Sequence, residues 1–221
     1  YVEVTVEDAA GNSTTRQAVV TVEDNTAPTL TLQNATLQLD ASGRASITPT
    51  DVIEGTADNC SLVDTTLSRS DFTCSDLGEV AVDVTVEDAG GNKTTKPAIV
   101  TVEDTIAPNI TCPDDQSVEA EANNVYTVNG TAFDPADLND NCSYTIYNDF
   151  NDAETLDGAE LPVGTATIKW IITDEAGNKD SCNFIVEVNE DVGVGPVATN
   201  GVSVYPNPTK GKIFIETGSA N

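Results

Sequence analysis

Three short acidic turns recur along the chain, from Asp8 to Asn12, Asp88 to Asn92 and Asp174 to Asn178, each with the pattern Asp-x-x-Gly-Asn. Two Asp-Asn-Cys motifs, at residues 58–60 and 140–142, set another carboxylate beside an amide and a thiol. Carboxylate and amide oxygens are hard ligands, which suit calcium far better than a transition metal. The sequence has no His, which removes the commonest general base, the usual zinc and copper ligand, and the Ser-His-Asp and Cys-His devices. Paired carboxylates can hydrolyse glycosidic bonds. Here no pocket-forming insertion interrupts the strand pattern, so most Asp and Glu read as solvated surface.

Composition narrows the options further. The 221 residues include 37 Asp and Glu against 9 Lys and Arg, for a net charge of −28. A nucleic-acid binder needs a cationic face to displace counterions, and this chain cannot build one. An anionic membrane surface would repel it for the same reason. Hydrophobic residues make up 38%, below the roughly 45–50% of an average globular domain, which predicts several small β units in place of one large core. No apolar stretch approaches the ~20 residues of a membrane helix, so direct membrane insertion is not expected, and no amino-terminal signal peptide is read. Five Cys in so acidic a chain suggest disulfides and an oxidising compartment.

The elements that must position these residues come in repeats. Residues 2–32 return as residues 82–112 after 80 positions, and a looser copy, Ile168 to Asp191, follows 86 positions later. Such a period predicts a tandem array of sandwich modules. The expected organisation is the last two strands of one module over 1–24, a module over 25–104 and another over 105–191. A flexible linker over 192–202 follows, then a different short segment over 203–221. Tyr1 falls inside the first copy, so the sequence is expected to begin in mid-domain, as the carboxy-terminal part of a longer protein.

Within a module, Val80, Val82, Val84 and Val86 alternate with Ala81, Asp83, Thr85 and Glu87, the period-2 pattern of a half-buried strand. The third copy puts Ile168, Trp170 and Ile172 on the same face, which makes the single Trp a core residue. The next strand offers Ala98, Val100 and Val102, matched by Phe184, Val186 and Val188. In the intervening turn Gly and Asn supply positive-φ positions and Asp accepts backbone N–H groups.

The Asp-Asn-Cys motifs, the Leu-Pro-Val-Gly of 161–164, the Asp-x-x-Gly-Asn turns and the Ile-Thr-Cys-Pro of 110–113 resemble the hyalin-repeat (HYR) type of immunoglobulin-like module found in secreted and surface proteins. The resemblance covers nearly all of residues 1–191. It implies an all-β fold of tandem immunoglobulin-like sandwiches in a linear array, used in adhesion and as a surface stalk, with no enzymatic activity. The segment from Val202 to Glu216 resembles the start of a type IX secretion sorting domain of the Bacteroidota, through Tyr205, Pro206, Asn207, Pro208 and Gly211. That segment implies recognition by the type IX translocon and its outer-membrane accessory proteins. An ordinary linker turn before a further repeat is the plainer alternative.

On the immunoglobulin-like topology, Cys112 and Cys182 sit on two neighbouring parallel strands and are expected to pair. Cys60 and Cys74, 14 positions apart in the second module, are expected to close a loop, which would constrain the unfolded chain by roughly 3 kcal/mol. Cys142 is then left over, expected as a buried, inert thiol. Related repeats often carry another Cys where this chain has Asn123, Asn124 and Val125.

The same topology brings the entering linker and two loops together at the amino-terminal tip of each module. For the second module these supply Glu23, Asp24, Asp58, Asp88 and Asn92. For the third they supply Glu103, Asp104, Asp140, Asp174 and Asn178. Each set could hold calcium, which would relieve repulsion between converging carboxylates and fix the angle between modules. The alternative is that the Asp residues cap turns and the Glu residues solvate edge strands.

The leading expectation is therefore a stalk or adhesion array, secreted or held at the outer-membrane surface of a Gram-negative bacterium, with an extracellular adhesion partner. A second reading makes it the spacer and sorting region of a secreted enzyme whose catalytic domain lies upstream of residue 1. Direct recognition of carbohydrate or protein would need exposed aromatics, for which Tyr126, Tyr144 and Tyr147 are the candidates, although packing explains them as well.

Overall fold

Val82, Val84 and Val86 are fully buried while Ala81 before them and Asp83 between them are exposed, so the alternation read in the sequence is the alternation of the strand Gly78–Asp88. Its partner Lys93–Glu103 runs antiparallel beside it and buries Ala98, Val100 and Val102 against the same core. Each such aliphatic side chain contributes roughly 1.5–3 kcal/mol on leaving water.

The computed structural model describes residues 1–121, 123–190, 202–206 and 213–217, the last two segments as backbone strands. The chain divides into two units. One comprises Tyr1–Ala107 with the loops Asp140–Tyr144 and Asp174–Asn178, and the other Pro108–Asn139, Thr145–Thr173 and Lys179–Asn221.

In the first unit, a four-stranded sheet has the order Ala35–Gln38, Lys93–Glu103, Gly78–Asp88, Leu62–Leu67. Its first pair is parallel and the others are antiparallel. Two small antiparallel pairs, Thr29–Leu32 with Ile53–Ala57 and Arg44–Ser46 with Asp71–Thr73, complete the layers. Leu30 and Phe72 from these pairs, with Ile47 just after Arg44–Ser46, meet the valines in one core. Pro97 is accommodated because it lies beyond the stretch of Lys93–Glu103 that pairs with Ala35–Gln38, where its missing N–H costs no ladder bond. The hairpin Val2–Glu7 with Ser13–Ala18 leaves Val2, Val4 and Val6 exposed, although their counterparts 80 positions on are buried.

The second unit repeats the plan. Its four-stranded sheet has the order Gln116–Glu119, Lys179–Asn189, Gly164–Asp174, Tyr144–Asn148, again with a parallel first pair. Asn109–Thr111 pairs with Ala136–Asn139, and Val125–Thr127 with Glu160–Pro162. Trp170, Ile168, Ile172, Phe184, Val186 and Val188 form its core. Tyr126 is half-buried and stacks on Phe133 at 5.8 Å. Tyr144 and Tyr147 are exposed. Both units are all-β, sandwich-like modules.

Cys112 and Cys182 are disulfide-bonded as expected, although Cys112 lies just past the strand Asn109–Thr111 and the parallel neighbour of Lys179–Asn189 is Gln116–Glu119. The expected Cys60–Cys74 loop does not form, because Cys74 is bonded to Cys142 and Cys60 is free and exposed. Cys74 opens the 3-10 turn Cys74–Asp76, and its sulfur lies 3.4 Å from the carbonyl oxygen of Asn141, beside Cys142. Nearness in sequence was the wrong guide. Both bonded cysteines of this pair lie in the first unit.

The linker 192–201 lies outside the described residues, as do Asn207, Pro208 and Gly211. Tyr205 and Pro206 end the strand Val202–Pro206, which pairs antiparallel with Ile213–Thr217.

Two acidic nests as a candidate metal site

Each nest is built on the Asp-x-x-Gly-Asn turn. In the turn at 174–178, Asn178 N–H donates to Asp174 Oδ1 at 2.7 Å and the Asn178 side-chain amide donates to Asp174 Oδ2 at 2.8 Å. Gly177, at φ 93°, takes the left-handed position that a side chain would strain. The turn at 88–92 is the same, with 2.9 Å for both bonds. The Asp8 to Asn12 turn repeats it again, at 2.9 and 2.8 Å. The fold therefore holds these carboxylates by Asn donors.

A second use of the Asn amide brings the linker in. Asn178 Nδ2 also donates to the Asp104 carbonyl at 3.0 Å, as Asn92 Nδ2 does to the Asp24 carbonyl at 3.0 Å. The linker aspartates turn the chain themselves: Asp104 Oδ1 accepts from Ile106 N–H and Asp24 Oδ1 from Thr26 N–H, each at 3.0 Å. The Asp-Asn-Cys loop closes the nest. Cys142 N–H donates to Asp140 Oδ2 at 3.0 Å and Cys60 N–H to Asp58 Oδ2 at 2.8 Å. The central Asn reaches the linker, Asn141 to Asp104 Oδ1 at 3.1 Å and Asn59 to Asp24 Oδ1 at 3.2 Å.

Asp104, Asp140 and Asp174 each turn one ligand atom to within 4.8 Å of the others. Asp104 and Asp174 are each only 6% exposed. Asp104 Oδ2, Asp140 Oδ1 and Asn141 Oδ1 are buried and accept no hydrogen bond. Two charges at this separation repel by about 3 kcal/mol at an effective dielectric of ~20. Burial pushes the Asp140 carboxyl above its ordinary range, with the charges of Asp104 and Asp174 adding to it. Such a nest needs a proton or a cation to be neutralised, and orphaned oxygens with no His or Cys donor fit a hard cation.

The first nest differs in one residue. Asp24, Asp58 and the Cys60 sulfur form its close set, so the Cys60 thiol joins the set while Asp88, the counterpart of Asp174, does not. The neighbouring Asp24 carboxylate raises the pKa of the Cys60 thiol, and the thiol first, then the Thr26 N–H and the Asn59 amide, hold the Asp24 carboxyl low. Asp88, 1% exposed, is outside the close set and is held low chiefly by the Asn92 amide. Asp58 Oδ1 is buried without a donor.

Of the ten residues read as ligand candidates, the structure thus brings Asp104, Asp140 and Asp174 into one set and Asp24 and Asp58 into the other. Asn92 and Asn178 turn amide donors inward and act as positioning residues. Glu23 and Glu103 are exposed and lie outside both sets. Asn59, Asn141 and Cys60 were missed as members of the nests; the recurrence of Asp-Asn-Cys was the signal that could have found them.

Residues 103–188 match the HYR domain. Hyalin of Strongylocentrotus purpuratus is 28% identical over 194 residues, covering 82% of this chain and 15% of hyalin. The serine-rich adhesin for platelets of Staphylococcus aureus (strain N315) is 28% identical over 198 residues, covering 80% of this chain and 8% of the adhesin. The chain thus spans a small fraction of the length of these curated relatives. Among solved structures, human protocadherin-24 EC1-2 covers 75% of this chain and all of its own, at 12% identity and a TM-score of 0.35.

Proposed function

We propose that this chain is a non-catalytic, adhesion-type segment of an exported protein, in which calcium joins the linker aspartates to the loops around them. The observation that carries the metal assignment is the buried Asp104 Oδ2, which has no hydrogen-bond partner, on a carboxylate that lies within 4.8 Å of those of Asp140 and Asp174. Asp104, Asp140, Asp174 and the amide oxygen of Asn141 would hold the ion, with carbonyls and water completing the six to eight oxygens calcium takes. Asp24 and Asp58 would hold a second ion, with Asp88 near. The ion supplies charge neutralisation and cross-linking, and no reaction is assigned to it. Isothermal titration with calcium tests this: saturable binding is expected, and no binding heat above buffer overturns it.

The adhesion reading is supported by the HYR match and by the likeness to hyalin and a platelet adhesin. Two disulfides support export to an oxidising compartment. The Tyr-Pro-Asn-Pro-x-x-Gly motif at Tyr205 to Gly211 supports the finer reading, a type IX sorting segment that delivers the protein to the cell surface of a Gram-negative bacterium through the translocon and its accessory proteins. Deleting Ser203–Asn221 from the full-length protein is expected to leave it in the periplasm. Unaltered export would contradict that reading.

A further inference from the structure

Cys60 and Cys142 occupy the same place in two copies of one local structure. Each follows Asp-Asn, each donates its backbone N–H to the Asp two residues before it, at 2.8 and 3.0 Å, and each is preceded by an Asn bound to a linker Asp. Yet Cys142 is bonded to Cys74, while Cys60 is free and exposed. By sequence, Cys74 belongs to the copy of the repeat before the one that carries Cys142. The chain contains no cysteine ahead of Cys60, and Cys74 is already taken.

The bonded pair shows what the donor cysteine requires. Cys74 starts a 3-10 turn whose end is closed by Leu77 N–H donating to the Cys74 carbonyl at 3.3 Å. Gly43 lies against it at φ 69°, where an added Cβ would stand 2.8 Å from the Cys74 sulfur and 2.5 Å from the Asn141 carbonyl oxygen. Only glycine leaves room for the Asp-Asn-Cys loop to reach the turn.

We propose that Cys60 is a disulfide-forming site whose partner is the cysteine of a preceding copy of this repeat, held there as Cys74 is held here. Consecutive copies are then joined covalently through Asp-Asn-Cys, and Cys142–Cys74 is one such joint. In forming the bond, two thiols release two protons and two electrons to one S–S. The oxidised dithiol of an exported thiol oxidase accepts them, and its own S–S becomes two thiols. The inference stands apart from the calcium reading.

A duplicated chain tests it, with residues 1–104 followed by residues 25–221, so that the junction Glu103-Asp104-Asn25-Thr26 reproduces the native Glu23-Asp24-Asn25-Thr26. The first copy carries Cys60→Ser. Purified without reductant, unfolded and alkylated, it is expected to show no free thiol, because second-copy Cys60 bonds to first-copy Cys74. Adding Cys74→Ser in the first copy is expected to expose one thiol, at Cys60. A linked Cys112–Cys182 peptide in the same digests reports that the protein has folded. Two alkylated thiols in the first variant would overturn the proposal, as would label on Cys142 in the second. A Cys60-linked dimer of the 221-residue parent would equally overturn it, by making a second copy of the chain the partner.

Discussion

The side-chain amide of Asn141 donates to Asp104 Oδ1 at 3.1 Å, while the other oxygen of the same buried carboxylate receives nothing. One half of Asp104 is therefore structural, and the other half is a charge kept out of water beside two more carboxylates. Replacing Asp104 with Asn keeps the acceptor and removes the charge. With the cation chelated, Asp104→Asn is expected to raise the melting temperature, because repulsion of about 3 kcal/mol per pair is relieved. With calcium present, the same variant is expected to lose the stabilisation that calcium gives the parent. Thermal melts of both proteins in both buffers check the reversal of sign.

The Cys74–Cys142 bond closes a span of 68 residues. In the chain-entropy account its removal costs about 4 kcal/mol. The double variant Cys74→Ser, Cys142→Ser is expected to unfold at correspondingly lower denaturant. Reduction should lower the parent's stability more than it lowers that of the double variant. Urea titrations with and without reductant provide the comparison.

Asp76 accepts from the Arg69 guanidinium and from Thr73 N–H at 2.8 Å, and these bonds, Arg69 first, hold its carboxyl below the ordinary value. A depressed folded-state pKa gives stability that is fully present above the unfolded value, about pH 4, and fades as the pH falls through the folded one. Asp76→Asn is expected to cost about 1 kcal/mol at pH 7. The difference from the parent should shrink below about pH 4, which denaturant midpoints at pH 7 and pH 3 would record.

Trp170 is fully buried, and its indole N–H has no acceptor. Truncation to Ala is expected to cost about 3–5 kcal/mol through the cavity it leaves. Trp170→Phe should cost much less, since it also removes a buried donor whose isolation costs about 1–3 kcal/mol. Equilibrium unfolding of both variants distinguishes the two contributions.

The core was legible in the sequence because strand periodicity and burial are both local. Val82, Val84 and Val86 alternate in the sequence as they do in the sheet, and Trp170 follows the same face 86 positions on. The pairing of Cys74 with Cys142 was not legible. It depends on which loop reaches the turn at Cys74, a matter decided by Gly43 and by the reach of Asn141 to Asp104 and to the Asp40 carbonyl at 3.3 Å. The carboxylates of the nests were legible from their recurrence, but the roles of the amides were not. Asn92 and Asn178 looked like oxygen donors to a metal, yet their N–H groups are spent on Asp side chains and linker carbonyls.

The central claim is that the nests hold calcium, and thermal unfolding of the 221-residue chain in calcium and in excess chelator tests it most directly. At calcium one hundredfold above the dissociation constant, each ion bound only to the folded state adds about 2.7 kcal/mol. For a protein of this size that raises the midpoint by several degrees, and Asp104→Asn should cut the rise. Identical midpoints for the parent in the two buffers would contradict the account.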